Sequence, residues 1–261
     1  MTPILELQDL SFRYEGGLPG EKVLDALTFA VAPGERVGLV GCNGVGKSTL
    51  LKILVGILPI QAGALTVGGL PMERKNLAEI RRKVGYIFQD SDSQLFMPTV
   101  RADVAFAAEN YGYPPEEVAV RTRRALAAVH MEHCADRPVY RLSGGQKKLA
   151  SIAGILTLDP ALILMDEPSA ALTDIEVEGL FAIMKKLVSE GKSIIGILNA
   201  LPCAKLIASH DLDFIYDTCD RVLLLHHGQL AADGPAREIL RDKALLERCE
   251  LELPLRWQRD F

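Results

Sequence analysis

Long hydrophobic runs are missing from this chain of 261 residues. No apolar stretch approaches the roughly 20 residues of a bilayer-crossing helix, so no membrane span is expected. The opening Met1-Thr2-Pro3-Ile4-Leu5-Glu6 has no basic n-region and no long apolar core, and no secretory signal is expected either. Basic charge is not in excess: the formal net charge is −5. The short clusters Arg81-Arg82-Lys83 and Arg121-Thr122-Arg123-Arg124 read as solvated helix faces. Without a basic stripe to neutralise phosphates, a nucleic-acid partner is not expected. The five cysteines (Cys42, Cys134, Cys203, Cys219, Cys249) lack C-x-x-C spacing, and their odd number suits reduced thiols in cytosol. His130-Met131-Glu132-His133-Cys134 gathers metal-binding residue types, but its spacing fits no usual zinc signature and reads as a helix end. Repeats, low-complexity tracts and long heptads are absent.

What remains is an ordinary soluble composition, 49% apolar and 24% charged, with length for one large domain or a core and a smaller lobe. Leu5–Leu10 and Leu27–Val31 alternate as strands before the Pro33-Gly34 turn. A helix from Ser48 is expected to end near Leu58-Pro59. Ala64–Val67 and Val84–Phe88 are further strand candidates. From about 98 to 141 the spacing turns helical, over Thr99–Asn110 and Glu116–His130, with Tyr113-Pro114-Pro115 between them. Strand-like runs return at Ala161–Met165, Lys205–Ser209 and Arg221–Leu225, restoring α/β alternation. His226-His227-Gly228 reads as a hairpin turn with glycine at positive φ. Short helices are expected after Gly234-Pro235. Ser193–Leu198 fits an extra strand or a helix extension equally well.

Gly41-Cys42-Asn43-Gly44-Val45-Gly46-Lys47-Ser48 fits the phosphate-loop pattern G-x-x-x-x-G-K-[ST], between the apolar run Val37–Val40 and the apolar stretch Leu50–Val55. The glycines let backbone N–H groups converge on phosphates, and the dipole of the following helix adds to the attraction. Lys47 is expected on the β- and γ-phosphates and Ser48, followed by Thr49, on Mg²⁺. Ala161–Met165 then delivers Asp166 and Glu167, two carboxylates at the end of a buried strand. Asp166 suits Mg²⁺ or its water, and Glu167 suits a general base on an attacking water.

Leu142-Ser143-Gly144-Gly145-Gln146 resembles the signature of ATP-binding-cassette proteins, and its place at a helix start exposes N–H donors at the positive dipole end. The resemblance runs over nearly the whole chain, from Tyr14 to the tail. It implies an α/β fold: a P-loop NTPase core with a parallel sheet, an N-terminal antiparallel β-subdomain and a small helical lobe. The parts expected are 1–95 and 142–232 for the core, 96–141 for the lobe and 233–261 for a helical tail. It further implies ATP sandwiched between two subunits, with Ser143, Gly144, Gly145 and Gln146 gripping the γ-phosphate held by the other subunit. Tyr14 matches the aromatic that stacks on adenine, Gln89 the glutamine at Mg²⁺, and His210 in Ser209-His210-Asp211 the switch histidine. Phe88–Phe96, Asp103–Phe106, Ile207–Phe214 and Leu251–Leu255 look like the ATPase subunits of energy-coupling-factor importers, especially the cobalt/nickel type. That narrower resemblance implies MgATP hydrolysis at the cytoplasmic face of a membrane. The partners would be a second ATPase subunit, as a homodimer or heterodimer, and an integral membrane protein docked near Gln94, Leu95 and Phe96, with Leu95 and Phe96 either exposed for that partner or packing the helical lobe onto the core. A soluble cassette ATPase or a regulatory ATP-binding module stand as alternatives. Two departures are visible: Thr173, with Asp174 one place later, stands where the family has aspartate, and Leu149 stands where it commonly has arginine.

Overall fold

A computed structural model of the chain describes residues 2–16, 22–168 and 194–258. They fall into two compact units, one comprising Met1–Val84, Ala161–Glu167 and Cys203–Phe261, the other Gly85–Pro160 and Pro168–Pro202. The first unit begins with β1 (Leu5–Phe12) and β2 (Leu24–Val31), paired antiparallel. Leu5, Leu7, Leu10 and Phe12 of β1 are buried, although the step from Leu7 to Leu10 breaks strict alternation. A register shift between Leu7 and Leu10 absorbs the extra residue, with Asp9 at φ 49° and its N–H on Thr28 Oγ1.

The chain then enters β3 (Arg36–Val40) and, through the glycine loop, α1 (Lys47–Leu54). This helix stops four residues before the expected end. Gly56, at φ 68°, donates to Ile53 O, and Ile57 donates to Lys52 O at 2.8 Å, so the last carbonyls are satisfied by a left-handed cap. Next come β4 (Ala62–Val67), the short β5 (Leu70–Pro71) and α2 (Leu77–Lys83). β4 pairs antiparallel with β1, giving a four-stranded sheet in the order β2-β1-β4-β5.

The second unit takes up β6 (Val84–Ile87) from Gly85 onward and then three helices: α3 (Val100–Asn110), α4 (Pro115–Ala128) and α5 (Gly144–Leu156). Thr99 caps α3 by accepting the Ala102 N–H, and Pro115 opens α4, where a missing N–H costs nothing. Gly85 is where β6 and α5 touch, since a Cβ there would lie 2.6 Å from Ile155 Cδ1. Arg121 of α4 donates to Glu117, to the Thr157 carbonyl and to Asp159, and lies over the Tyr113 ring.

β7 (Leu162–Asp166) returns to the first unit and is buried at every position, each leucine contributing about 1.5–3 kcal/mol. The second unit also holds α6 (Ile194–Ala200), so the ambiguous stretch near 193–198 is helical from Ile194 onward. The loop carrying Thr173 and Asp174 lies outside the described residues. The first unit closes with β8 (Ala204–Ala208), α7 (Leu212–Thr218), β9 (Arg221–His226), β10 (Gln229–Pro235), α8 (Ala236–Ile239) and α9 (Lys243–Arg248). Its second sheet runs β10-β9-β3-β8-β7. β3 pairs parallel with β8 and β9, and β7 parallel with β8, while the β9–β10 hairpin is antiparallel. The sheet is therefore mixed rather than wholly parallel. His227 and Gly228 both have positive φ in the hairpin turn.

Candidate functional site

The glycine loop is built by close approach. A Cβ on Gly41 would sit 2.5 Å from the Leu225 carbonyl oxygen. Gly46, at φ 110°, caps α1 and would carry a Cβ 2.8 Å from Leu24 Cδ2, so both space and backbone conformation demand glycine there. Gly44 is also at positive φ, between Asn43 and Val45, and a Cβ there would meet nothing within 4 Å. Lys47 is buried and curls back over the loop, donating to the carbonyls of Gly41 at 2.7 Å and Cys42 at 3.2 Å. Burial pushes its ammonium below the ordinary lysine range, against the pull of Glu167, Cys42 and Asp166.

The strand β7 brings the two acids to the same place. Ser48, on the first turn of α1, donates to Asp166 Oδ1 at 2.9 Å. A hydroxyl and a carboxylate side by side are the hard oxygen donors that Mg²⁺ takes. Glu167 is buried, and its Oε1 lies 3.9 Å from Lys47 Nζ. Its backbone sits at φ 47°, a strained left-handed conformation for a non-glycine residue, held by its N–H on the Ala208 carbonyl at 2.8 Å. Oε2 lies 2.8 Å from His210 Nδ1 and accepts from the Ser209 hydroxyl at 3.0 Å. With Nδ1 turned to the carboxylate, Nε2 is the outer nitrogen of a ring that is 56% exposed. Tyr14 has a part-exposed ring standing edge-on to Phe12, with its hydroxyl 3.0 Å from Thr49 Oγ1.

The remaining predicted residues belong to the second unit. Ser143 and Gln146 form a capping box at the start of α5: the serine hydroxyl accepts the Gln146 N–H, and the glutamine oxygen accepts the Ser143 N–H. A Cβ on Gly145, which follows Gly144, would meet nothing within 4 Å, so that turn of helix has an open face. Gln89 has an exposed side chain. Its carbonyl, with that of Phe88, accepts from Lys148 Nζ at 2.9 and 2.8 Å. Lys148 is fully buried and was not singled out by sequence, because a lysine two places after the signature looks like solvated helix surface.

The expected partner-facing triplet divides. Gln94 turns inward to the Phe88 N–H, and Phe96 is 63% exposed with its ring edge-on to Phe106 at 4.8 Å. Leu95, one of the two side chains open to either reading, is buried. The turn from Ser91, whose carbonyl accepts the N–H groups of Gln94 and Leu95, puts positions 91 and 95 on one side, and both are buried. In the sequence, Asp103 of α3 stands out only as part of a run. Its buried carboxylate accepts the N–H groups of Phe96 and Met97 at 2.8 and 2.7 Å, fastening this loop to the helix.

A glycine phosphate loop at the head of a helix, with two strand-end carboxylates and a histidine around its lysine, defines an ATP-binding P-loop protein. Residues 24–170 match the family described as ABC transporter, and the chain belongs to that family. A protein of Geobacter sulfurreducens named as an ABC transporter ATP-binding protein is 42% identical, over 98% of this chain and 96% of its own length. The energy-coupling factor transporter ATP-binding protein EcfA of Methanocaldococcus jannaschii is 39% identical, over 96% of this chain and 86% of its own. Among solved structures, cbiO1 of Clostridium perfringens, part of the ABC transporter complex cbiONQ, superposes with a TM-score of 0.76 at 32% identity, covering 95% of this chain and 94% of that one. The chain is thus an ABC ATPase, the ATP-hydrolysing subunit of a transporter. Among the described residues, no helix is long and apolar enough to cross a membrane.

Proposed function

We propose that this chain drives an importer of the energy-coupling-factor type, for cobalt or nickel ions or a vitamin, by hydrolysing MgATP as one of a pair of ATPase subunits. The observation that carries the chemistry is the Glu167 carboxylate, buried and held between His210 and Lys47 beside the Ser48–Asp166 pair. Lys47 would leave its loop carbonyls for the phosphates, and the N–H groups of the loop from Gly41 to Ser48 would cradle them. Ser48 and Asp166 would hold Mg²⁺, which neutralises phosphate charge when bound. Glu167 would take a proton from water, His210 Nε2 would face the developing charge, and the Tyr14 ring would stack on adenine.

Ser143–Gln146 would act on the nucleotide of the second subunit. Gln94, Leu95 and Phe96 would lie where a membrane subunit docks at the cytoplasmic face, with Phe96 the exposed side chain, and 96–141 would serve as the helical lobe carrying that contact. The names of the similar EcfA and cbiO1 proteins support the importer class. Two measurements test the proposal. Glu167→Gln is expected to keep ATP binding and abolish turnover, and native turnover in that variant would overturn the base assignment. The native chain is expected to co-purify with a polytopic membrane protein from its own cell, and recovery as an active ATPase bound only to soluble partners would overturn the importer reading.

A further inference from the structure

The two oxygens of the Glu167 carboxylate have different surroundings. Oε2 faces three donors: the Ser209 hydroxyl at 3.0 Å, the His210 backbone N–H at 3.2 Å and His210 Nδ1 at 2.8 Å. Oε1 faces only Lys47 Nζ among the described residues, at 3.9 Å. A carboxylate oxygen offers about two lone-pair sites, so Oε2 is fully engaged and Oε1 is not.

Ser209 contributes to this asymmetry together with His210. It is completely buried at the end of β8, and its own N–H donates to the Leu39 carbonyl. Its hydroxyl accepts the Asp211 N–H at 3.1 Å, so the hydroxyl proton is the part that turns to Oε2. Asp211 in turn caps α7 by accepting the Phe214 N–H at 2.9 Å. α7 is seated directly on β3, where a Cβ on Gly38 would come within 2.5 Å of Ile215. One hydroxyl therefore ties the Glu167 carboxylate to a helix packed closely on the sheet.

We propose that Ser209 is a positioning residue for ATP hydrolysis: it pins Oε2 of Glu167 and leaves Oε1 as the oxygen that receives the proton. This rests on the reading of Glu167 as general base. In the step, an O–H bond of the attacking water breaks and its proton passes to Oε1. The water oxygen bonds to the γ-phosphorus, and the bond from that phosphorus to the bridging oxygen breaks, leaving ADP and phosphate. Without the Ser209 donor Oε2 keeps only the two His210 groups, and the carboxylate is held less firmly about its last torsion.

The test compares the full chain with Ser209→Ala, Ser209→Cys and Ser209→Thr, alone and on Glu167→Gln, by steady-state ATPase rates and by nucleotide titration. Losing a hydrogen bond to a charged group is expected to lower kcat on the order of tenfold with KM for ATP unchanged. Cysteine, close in size but a weak donor, is expected to behave as alanine does, whereas threonine, which keeps the hydroxyl, is expected to restore most of the rate. On Glu167→Gln, where turnover is already gone, Ser209→Ala is expected to leave ATP binding by nucleotide titration unchanged. Native kcat in the alanine and cysteine variants overturns the inference, as does weaker ATP binding on Glu167→Gln or an effect confined to KM. An inactive Glu167→Gln beside a native-rate Ser209→Ala sinks the positioning role alone. A native-rate Glu167→Gln sinks the base reading and this inference with it.

Discussion

The Ser48 hydroxyl and Asp166 Oδ1 meet at 2.9 Å although 118 positions of sequence separate them. Ser48 lies on the first turn of α1 and Asp166 at the end of β7, and the pair supplies oxygen ligands of the kind Mg²⁺ binds. Asp166→Asn removes the charge and keeps the shape. Turnover at limiting Mg²⁺ is expected to fall at least about tenfold, while nucleotide binding in excess chelator persists. Titrating Mg²⁺ against the ATPase rate checks it, and an unchanged Mg²⁺ dependence would contradict the ligand assignment.

Lys47 holds two loop carbonyls while buried beside Glu167. Lys47→Ala removes the ammonium that phosphates would draw away, and ATP affinity is expected to drop by at least about tenfold. Equilibrium binding of labelled ATP measures this directly. Native affinity would place the phosphates elsewhere.

Asp103 is the fastening of the loop that carries Phe96. Burial raises its carboxyl above the ordinary aspartate range, although the N–H groups of Met97 and Phe96 pull it the other way. Asp103→Ala leaves both N–H groups without their acceptor and is expected to cost about 2–3 kcal/mol, read by urea denaturation. Asp103→Asn, which keeps an oxygen acceptor, is expected to cost less. Equal costs for the two variants would remove the hydrogen bonds from the account.

Asp159 offers a prediction in pH. Burial raises its carboxyl, but Arg124 and Arg121 together lower it further, leaving it below its ordinary value of 3.8. A folded value below the unfolded one stabilises the fold above about pH 4 and stops doing so as pH falls through the folded value. Asp159→Asn is therefore expected to lower Tm at pH 7 and to converge with the native chain under acid. Thermal melts from pH 3 to 7 follow the convergence, and a gap constant across that range would contradict the pairing.

Several elements could be read from short stretches because their causes are local. Thr99 ahead of α3, Pro115 at the head of α4 and the Ser143–Gln146 box before α5 all act within one helical turn. The end of α1 was misplaced because Gly56, a left-handed cap, lies inside an apolar run that otherwise reads as continuous helix. Whether Leu95 faces a partner or the interior is not legible in sequence, because the polar run before it hides a turn that rotates it inward. Ser209 and Lys148 were missed for a related reason: a small hydroxyl and a lone lysine carry no sign of burial until the surrounding elements are in place.

By itself, the sequence determined where phosphates could be met, since glycine at 41, 44 and 46 and an apolar run ending in two acids act through adjacent atoms. Only the tertiary structure decided what Glu167 would face. The parallel register of β7 on β8 sets Asp166 opposite Ala208, so the next residues along, Glu167 on one side and Ser209 and His210 on the other, are brought together. That register follows from burying whole strands against one another, a sum over the sheet that no short stretch of sequence contains.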